Sequence, residues 1–200
     1  MPSPSASFFF DLSSPQAYLA AERVLHVLPV AAEWQPVLAA ELGARAGTRP
    51  VPDEQARTRI EQLALELNLQ PLRWPDPFPF DSSLAMRVAT YAKSIGRTVP
   101  FAQAAFRQAY AGGHSLAETD YVLIAAAACE MHPAAVLKGA ELRSVREQLA
   151  ATTASAAALG VMDTPSIAVE DRVFGGEHAV EEAALHVREL NSRHELELER

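Results

Sequence analysis

The apolar residues of this 200-residue chain change their spacing along its length, and each change predicts a different element. Residues 7–12 (SFFFDL) form a short, nearly continuous aromatic run of the length of a buried strand. Ser13, Ser14 and Pro15 follow at once. A serine hydroxyl suits a helix N-cap and proline suits the first helical position, so a helix is expected through 17–28, ending at Pro29. Residues 32–38 (AEWQPVL) read as a second strand. Pro36 places its end at a sheet edge, because proline donates no ladder hydrogen bond.

The middle of the chain has helical spacing. Residues 43–52 read as a loop. Asp53 can cap a helix in which Ala56, Ile60, Leu63, Ala64 and Leu67 recur three and four apart. Residues 71–81 contain four prolines among Trp74, Phe78 and Phe80, which predicts an irregular aromatic loop. Helical patterns follow over 83–95, 101–110, 119–131 and 133–158, the last open to interruption. The end of the chain returns to strands. Residues 165–169 and 172–174 flank Glu170-Asp171, a two-residue hairpin turn. A final helix is expected over 179–190, with a charged tail at 191–200 that frays. The order is strand–helix–strand, a helical block, then strand–strand–helix. It predicts an α/β chain with a thioredoxin-like fold: 1–42 and 159–200 form the thioredoxin-like domain, and 43–158 an inserted all-helical subdomain.

Composition narrows the function classes. The chain is 49% apolar and 21% charged, which is globular. Its formal net charge of −8 repels phosphate backbones, so no nucleic-acid partner is expected. No apolar run approaches the ~18 residues of a bilayer span, and no basic segment precedes the first apolar stretch, so neither a membrane span nor a secretory signal is expected. The single cysteine, Cys129, excludes an intrachain disulfide, a CxxC motif and a cysteine-rich zinc site; by default this points to a reducing cytoplasm. Cys129 lies in an alanine-rich helical pattern and reads as a packing residue. His26, His114, His132, His178, His186 and His194 show no metal-ligand spacing, so no metal is expected. Neither a nucleotide-binding glycine motif nor a GxSxG elbow occurs.

Four segments carry a more specific signal: FFFDLSSPQAYLA (8–20), LGARAGTRPVP (42–52), FPFDSSLAMR (78–87) and VMDTPSIAVEDRVFGGEH (161–178). Together and in this order they resemble the 2-hydroxychromene-2-carboxylate isomerases and kappa-class glutathione transferases, in the DsbA-like branch of the thioredoxin superfamily. The resemblance places Ser14-Pro15-Gln16-Ala17 where thiol oxidoreductases of this fold carry CxxC, with both cysteines replaced, so disulfide exchange there is not expected. It implies that Ser14 donates a hydrogen bond to the sulfur of glutathione, or of another low-molecular-weight thiol. Thr164 and a cis Pro165 would hold the cysteinyl part, and Gly176 and Glu177 the γ-glutamyl end. Thr48 and Arg49 would meet a further charged group. Phe10, Tyr18, Phe78 and Phe80 would wall a pocket for an aromatic substrate.

The same comparison exposes departures. Thr48 stands for an Asn, Asp81 for an Asn, Gly176 for a Gln or Ser, and His178 for an Arg. An ionised Asp81 would repel an anionic substrate unless it is paired. Read locally, Ser14 is a helix cap with Ser13 as an alternative, Thr164-Pro165 opens an edge strand, and Glu177 sits favourably at a helix start. Three activities remain open. The first is an isomerase cycle on an unsaturated aromatic keto acid, in which the glutathione thiolate adds and is later eliminated. The second is a kappa-like transferase that releases a conjugate. The third is a non-catalytic binding protein on a DsbA-like scaffold. The resemblance also implies a possible homodimer.

Overall fold

The computed structural model describes residues 4–42 and 52–198, with side chains described as far as residue 193; Thr48 and Arg49 therefore lie outside the described residues. A four-stranded sheet has the order β2-β1-β3-β4. β1 (Ala6–Phe10) runs parallel to β2 (Ala32–Pro36) and antiparallel to β3 (Ser166–Val169); β3 pairs antiparallel with β4 (Arg172–Gly175). β2 is an edge strand, which admits Pro36 opposite Phe10. The Glu170-Asp171 turn is a tight hairpin: Val169 pairs with Arg172, and Glu170 takes a φ of 52°.

The aromatic run at the start of the chain is explained by burial of β1 on both faces. Phe8 and Phe10 point one way, onto Trp34, and Phe10 continues onto Phe106 of the helical block. Phe9 points the other way, into a smaller cluster with Val37, Leu42, Ala156 and Val161. Tyr18 stacks on Tyr110 with ring centroids 5.7 Å apart. Phe10 and Tyr18 are 0% and 2% exposed, so they belong to the core that joins sheet and helices and do not wall a pocket. The sequence pattern alone did not separate these roles, because a buried aromatic and a pocket aromatic look alike in one dimension.

The helices follow the expected order, with differences that have local causes. The first helix is split into α1 (Pro15–Ala21) and α2 (Val24–Val27). Arg23 Nε donates to the Leu19 carbonyl at 3.1 Å, the acceptor that a continuous helix would give to the Arg23 amide. That amide turns instead to Ala20. α3 (Glu54–Glu66) is capped by Asp53, whose carboxylate accepts from the Ala56 amide at 2.8 Å. After the proline-rich loop come α4 (Ser83–Ser94), α5 (Thr98–Tyr110), α6 (Thr119–Ala127), α7 (Pro133–Glu141) and α8 (Arg143–Leu159). α5 starts earlier than expected because Pro100 is tolerated in a first turn. The long 133–158 pattern breaks at Leu142, which is extended. α9 (Ala179–Leu198) continues through the charged tail that was expected to fray.

One side chain ties these parts together. Asp11, at the end of β1, is 3% exposed. Its Oδ1 accepts from the Ser13 amide, the Ser13 hydroxyl and the Ser82 hydroxyl, each at 2.8 Å, and its Oδ2 accepts from the Ala39 amide at 2.9 Å. A buried carboxylate is tolerable only with such a set of donors. Here the donors come from the start of α1, from the chain after β2 and from the start of α4.

Asp11→Asn replaces an acceptor oxygen with an NH2 group that faces donors. We expect it to cost about 3 kcal/mol of stability, read as a lower urea midpoint with an unchanged m-value.

Candidate active site

The site forms where α1 begins beside the start of β3. Ser14 is the N-cap of α1, with Pro15 at the first helical position. Its Oγ accepts from the Ala17 amide at 3.2 Å and donates to the Thr164 carbonyl at 2.9 Å. Ser14 is 0% exposed, so its hydroxyl is both a cap and a tether across the site. The Thr164-Pro165 bond is cis. The Thr164 amide donates to Asp163 Oδ1 at 2.7 Å, so both backbone groups of Thr164 are already paired, one by Ser14 and one by Asp163.

A cleft opens beside these groups, lined by Ser13, Pro15, Gln16, Pro52, Phe78, Pro79 and Asp163. The Gln16 amide lies in the first turn of α1, where an N–H has no intrahelical acceptor. Phe78 lines the cleft. Phe80 packs against Phe78 but is only 7% exposed. The Gly176 amide donates to the Pro165 carbonyl at 3.2 Å, which sets the β4–α9 turn beside Pro165. Gly176 has a φ of 86°, a backbone that glycine adopts without strain.

Glu177, on that turn, is not free. Arg59 of α3 donates to it at 2.6 Å, and this hydrogen bond and charge hold the Arg59 guanidinium above its ordinary pKa. Asp81 is paired as well. Its carboxylate accepts from the amide and hydroxyl of Ser83 at the start of α4; the hydroxyl contact, then the amide and the Arg87 charge, keep its pKa below the ordinary carboxylate value. These acceptors serve the start of α4, and the lowered pKa keeps the carboxylate anionic. Burial, with Glu22 adding to it, raises the Tyr18 phenol above its ordinary pKa, as suits a core residue.

Asp163, Arg59 and Ser82 were not singled out from the sequence. Asp163 adjoins Thr164 and could have been considered on that ground. Arg59 and Ser82 reach the site only through tertiary packing, and no local pattern marks them. Among the described residues no group of three or more His, Cys, Asp or Glu could hold a metal. Nor is any helix among them long and apolar enough to cross a membrane. Cys129 is buried away from the cleft, and burial raises its thiol pKa.

The family model described as the DSBA-like thioredoxin domain matches residues 6–188. The chain belongs to the DsbA-like thioredoxin family. Solved structures of this fold superpose over nearly the whole chain. A 2-hydroxychromene-2-carboxylate isomerase matches with a TM-score of 0.81 at 15% identity, over 96% of this chain and 98% of its own. A probable DsbA oxidoreductase from Streptomyces coelicolor matches with a TM-score of 0.74 at 18% identity, over 93% and 89%. The cytosolic disulfide reductase DsbM from Pseudomonas aeruginosa, solved with GSH, matches with a TM-score of 0.64 at 15% identity, over 94% and 98%. At these identities the likeness shows the fold. No curated protein matches by sequence. This DsbA-like chain carries Ser14 and Ala17 where the resemblance aligns the two cysteines of CxxC, and has no cysteine at its cleft.

A folded pKa below the ordinary carboxylate value means that ionised Asp81 stabilises the fold above that value, and that the contribution disappears as pH falls through the lowered pKa. The stability gap between the wild type and Asp81→Asn should therefore be constant near neutrality and close as pH falls from about 5 towards 3, followed by urea unfolding at each pH.

Proposed function

We propose that this DsbA-like protein is a glutathione-dependent isomerase of the 2-hydroxychromene-2-carboxylate isomerase type, acting on an unsaturated aromatic keto acid. One observation carries the reading. The Ser14 hydroxyl stands at the start of α1 against the carbonyl that precedes Pro165, on a thioredoxin scaffold with no cysteine at that place. A hydroxyl cannot exchange disulfides, but it can donate to a thiolate brought in from outside. Support comes from the superposition on a 2-hydroxychromene-2-carboxylate isomerase and on a reductase solved with GSH.

The residues present fit a thiol ligand. Bound glutathione would supply a soft nucleophile that is recovered unchanged at the end of the cycle. Ser14 would turn its proton from the Thr164 carbonyl to the sulfur, with the Gln16 amide as a second donor, and so hold the sulfur in its anionic form. Releasing the Thr164 carbonyl, and displacing Asp163 from the Thr164 amide, would free both backbone groups to pair with an extended peptide. Glu177 would receive an ammonium group. Phe78, Pro15 and Pro79 would shield the reacting centre from water.

A second reading, a non-catalytic binding protein, is favoured by the two hydrogen bonds that the buried Ser14 hydroxyl already makes within the chain. Titration calorimetry with glutathione on the wild type and Ser14→Ala, with thiolate absorbance read in the bound state, separates the two. The isomerase reading expects saturable binding and a thiolate band that vanishes in Ser14→Ala. An absence of binding at millimolar glutathione would overturn it. Regeneration of free glutathione during turnover separates the isomerase from a kappa-like transferase, which releases a conjugate.

The pairing of Asp163 with the Thr164 amide generates a further expectation. Asp163→Ala removes the internal competitor for that N–H, and glutathione should then bind several-fold more tightly by the same calorimetry.

A further inference from the structure

Arg57 packs against Phe78, one of the walls of the cleft. Its guanidinium lies over the Trp74 ring, 4.7 Å from the centroid, and 5.6 Å from the centroid of Phe78. The platform beneath it is held in place. Trp74 Nε1 donates to Glu61 of α3 at 2.6 Å, the Trp74 and Phe78 rings meet edge to face at 5.0 Å, and Phe78 rests on the buried Phe80. Stacking engages the face of a guanidinium and leaves the N–H groups of its edge free to donate.

Among the described residues nothing accepts from that edge. Arg23, Arg59, Arg87 and Arg107, by contrast, each meet a glutamate. Glu61, one turn along α3 from Arg57, accepts from the indole of Trp74 and forms no ion pair with Arg57. Phe78, which supports the cation, is also a wall of the cleft together with Pro15 and Gln16. The structure thus places a fixed positive charge with an unused planar donor edge beside an aromatic wall, in a chain of net charge −8.

We propose that Arg57 is the carboxylate receptor of this cleft and determines its specificity for planar, unsaturated carboxylic acids, with the guanidinium edge on the carboxylate and the Phe78 ring against the planar body. A guanidinium edge matches a carboxylate in two parallel hydrogen bonds, which a neutral analogue of the same shape does not offer. The inference rests on the cleft being the active centre proposed above, but its test does not require a thiol.

The probes are trans-cinnamate and cinnamyl alcohol, which share one planar body and differ in the carboxylate. Binding is followed by calorimetry and by tryptophan fluorescence, to which Trp34 and Trp74 both contribute. The wild type should bind the acid at least about tenfold more tightly than the alcohol. Arg57→Gln should abolish that preference without weakening the alcohol, and Arg57→Lys should restore only part of it, because an ammonium lacks the planar fork. Melting curves of both variants confirm that each is folded. Equal binding of acid and alcohol by the wild type, or a preference that survives in Arg57→Gln, overturns the inference.

A second arm compares glutathione with its glycine ethyl ester on the wild type and Arg57→Gln. If Arg57 discriminates this pair and not the cinnamyl pair, the carboxylate it receives is that of the thiol, and the role assigned to the aromatic acid is overturned. If the wild type takes up cinnamate but no glutathione, the thiol-dependent function fails while the receptor role of Arg57 stands.

Discussion

The carboxylate of Asp11 is the point on which the arrangement of the site depends. It is buried at the end of β1, where an unpaired charge would be strongly unfavourable, and its hydrogen bonds come from segments far apart in sequence. One oxygen gathers Ser13 and Ser82, and the other takes the Ala39 amide. The sheet, the start of α1 and the start of the inserted helices are thereby held at one place. The Ser14 amide, which donates to the Asp11 carbonyl at 3.0 Å, continues the same turn. Where the N-cap of α1 sits relative to Pro165 follows from this, because the turn that carries Ser14 has little freedom left.

The groups assigned to ligand binding are paired within the chain, while the buried Thr164 hydroxyl has no partner among the described residues. Ser14 holds the carbonyl of Thr164, Asp163 holds its amide, Arg59 holds Glu177, and Ser83 holds Asp81. A ligand that uses these groups must therefore exchange hydrogen bonds rather than fill vacant ones, and such exchanges contribute modestly to net affinity. The discriminating contribution falls to groups that have no internal partner. Arg57 is a charged group of this kind beside the cleft wall, pinned by Trp74 and Phe78 and in contact with no carboxylate among the described residues.

Solved structures that share this scaffold include a probable DsbA oxidoreductase and a cytosolic disulfide reductase. A helix start beside a Thr-Pro bond offers N–H and hydroxyl donors to an anion, whether or not the chain supplies the sulfur. With Ser14 and Ala17 where the resemblance aligns the CxxC cysteines, the chain keeps a hydroxyl and first-turn amides there and no thiol. The one cysteine it has, Cys129, is buried in the helical core, where burial raises its thiol pKa above the ordinary value.

Much of this was legible in one dimension. The aromatic run of β1, the Ser-Pro helix start, the capped α3, the proline-rich loop and the terminal hairpin follow from period, capping and turn chemistry, which act over a few residues and so leave local marks. The four spaced segments were enough to indicate the fold family and to single out Ser14, Thr164 and Pro165. Tertiary structure decided what those residues touch. Phe10 and Tyr18 share the pattern of Phe78, yet Phe106 and Tyr110 cover the first two and leave the third at the cleft. Arg57 and Arg59, two residues apart on α3, go to different partners, an aromatic platform and a glutamate, because successive side chains of a helix point in different directions and the partners come from separate elements. Side-chain type and local spacing are properties of the sequence; burial, pairing and the absence of a partner depend on what distant segments bring to the same place, and only the folded chain determines them.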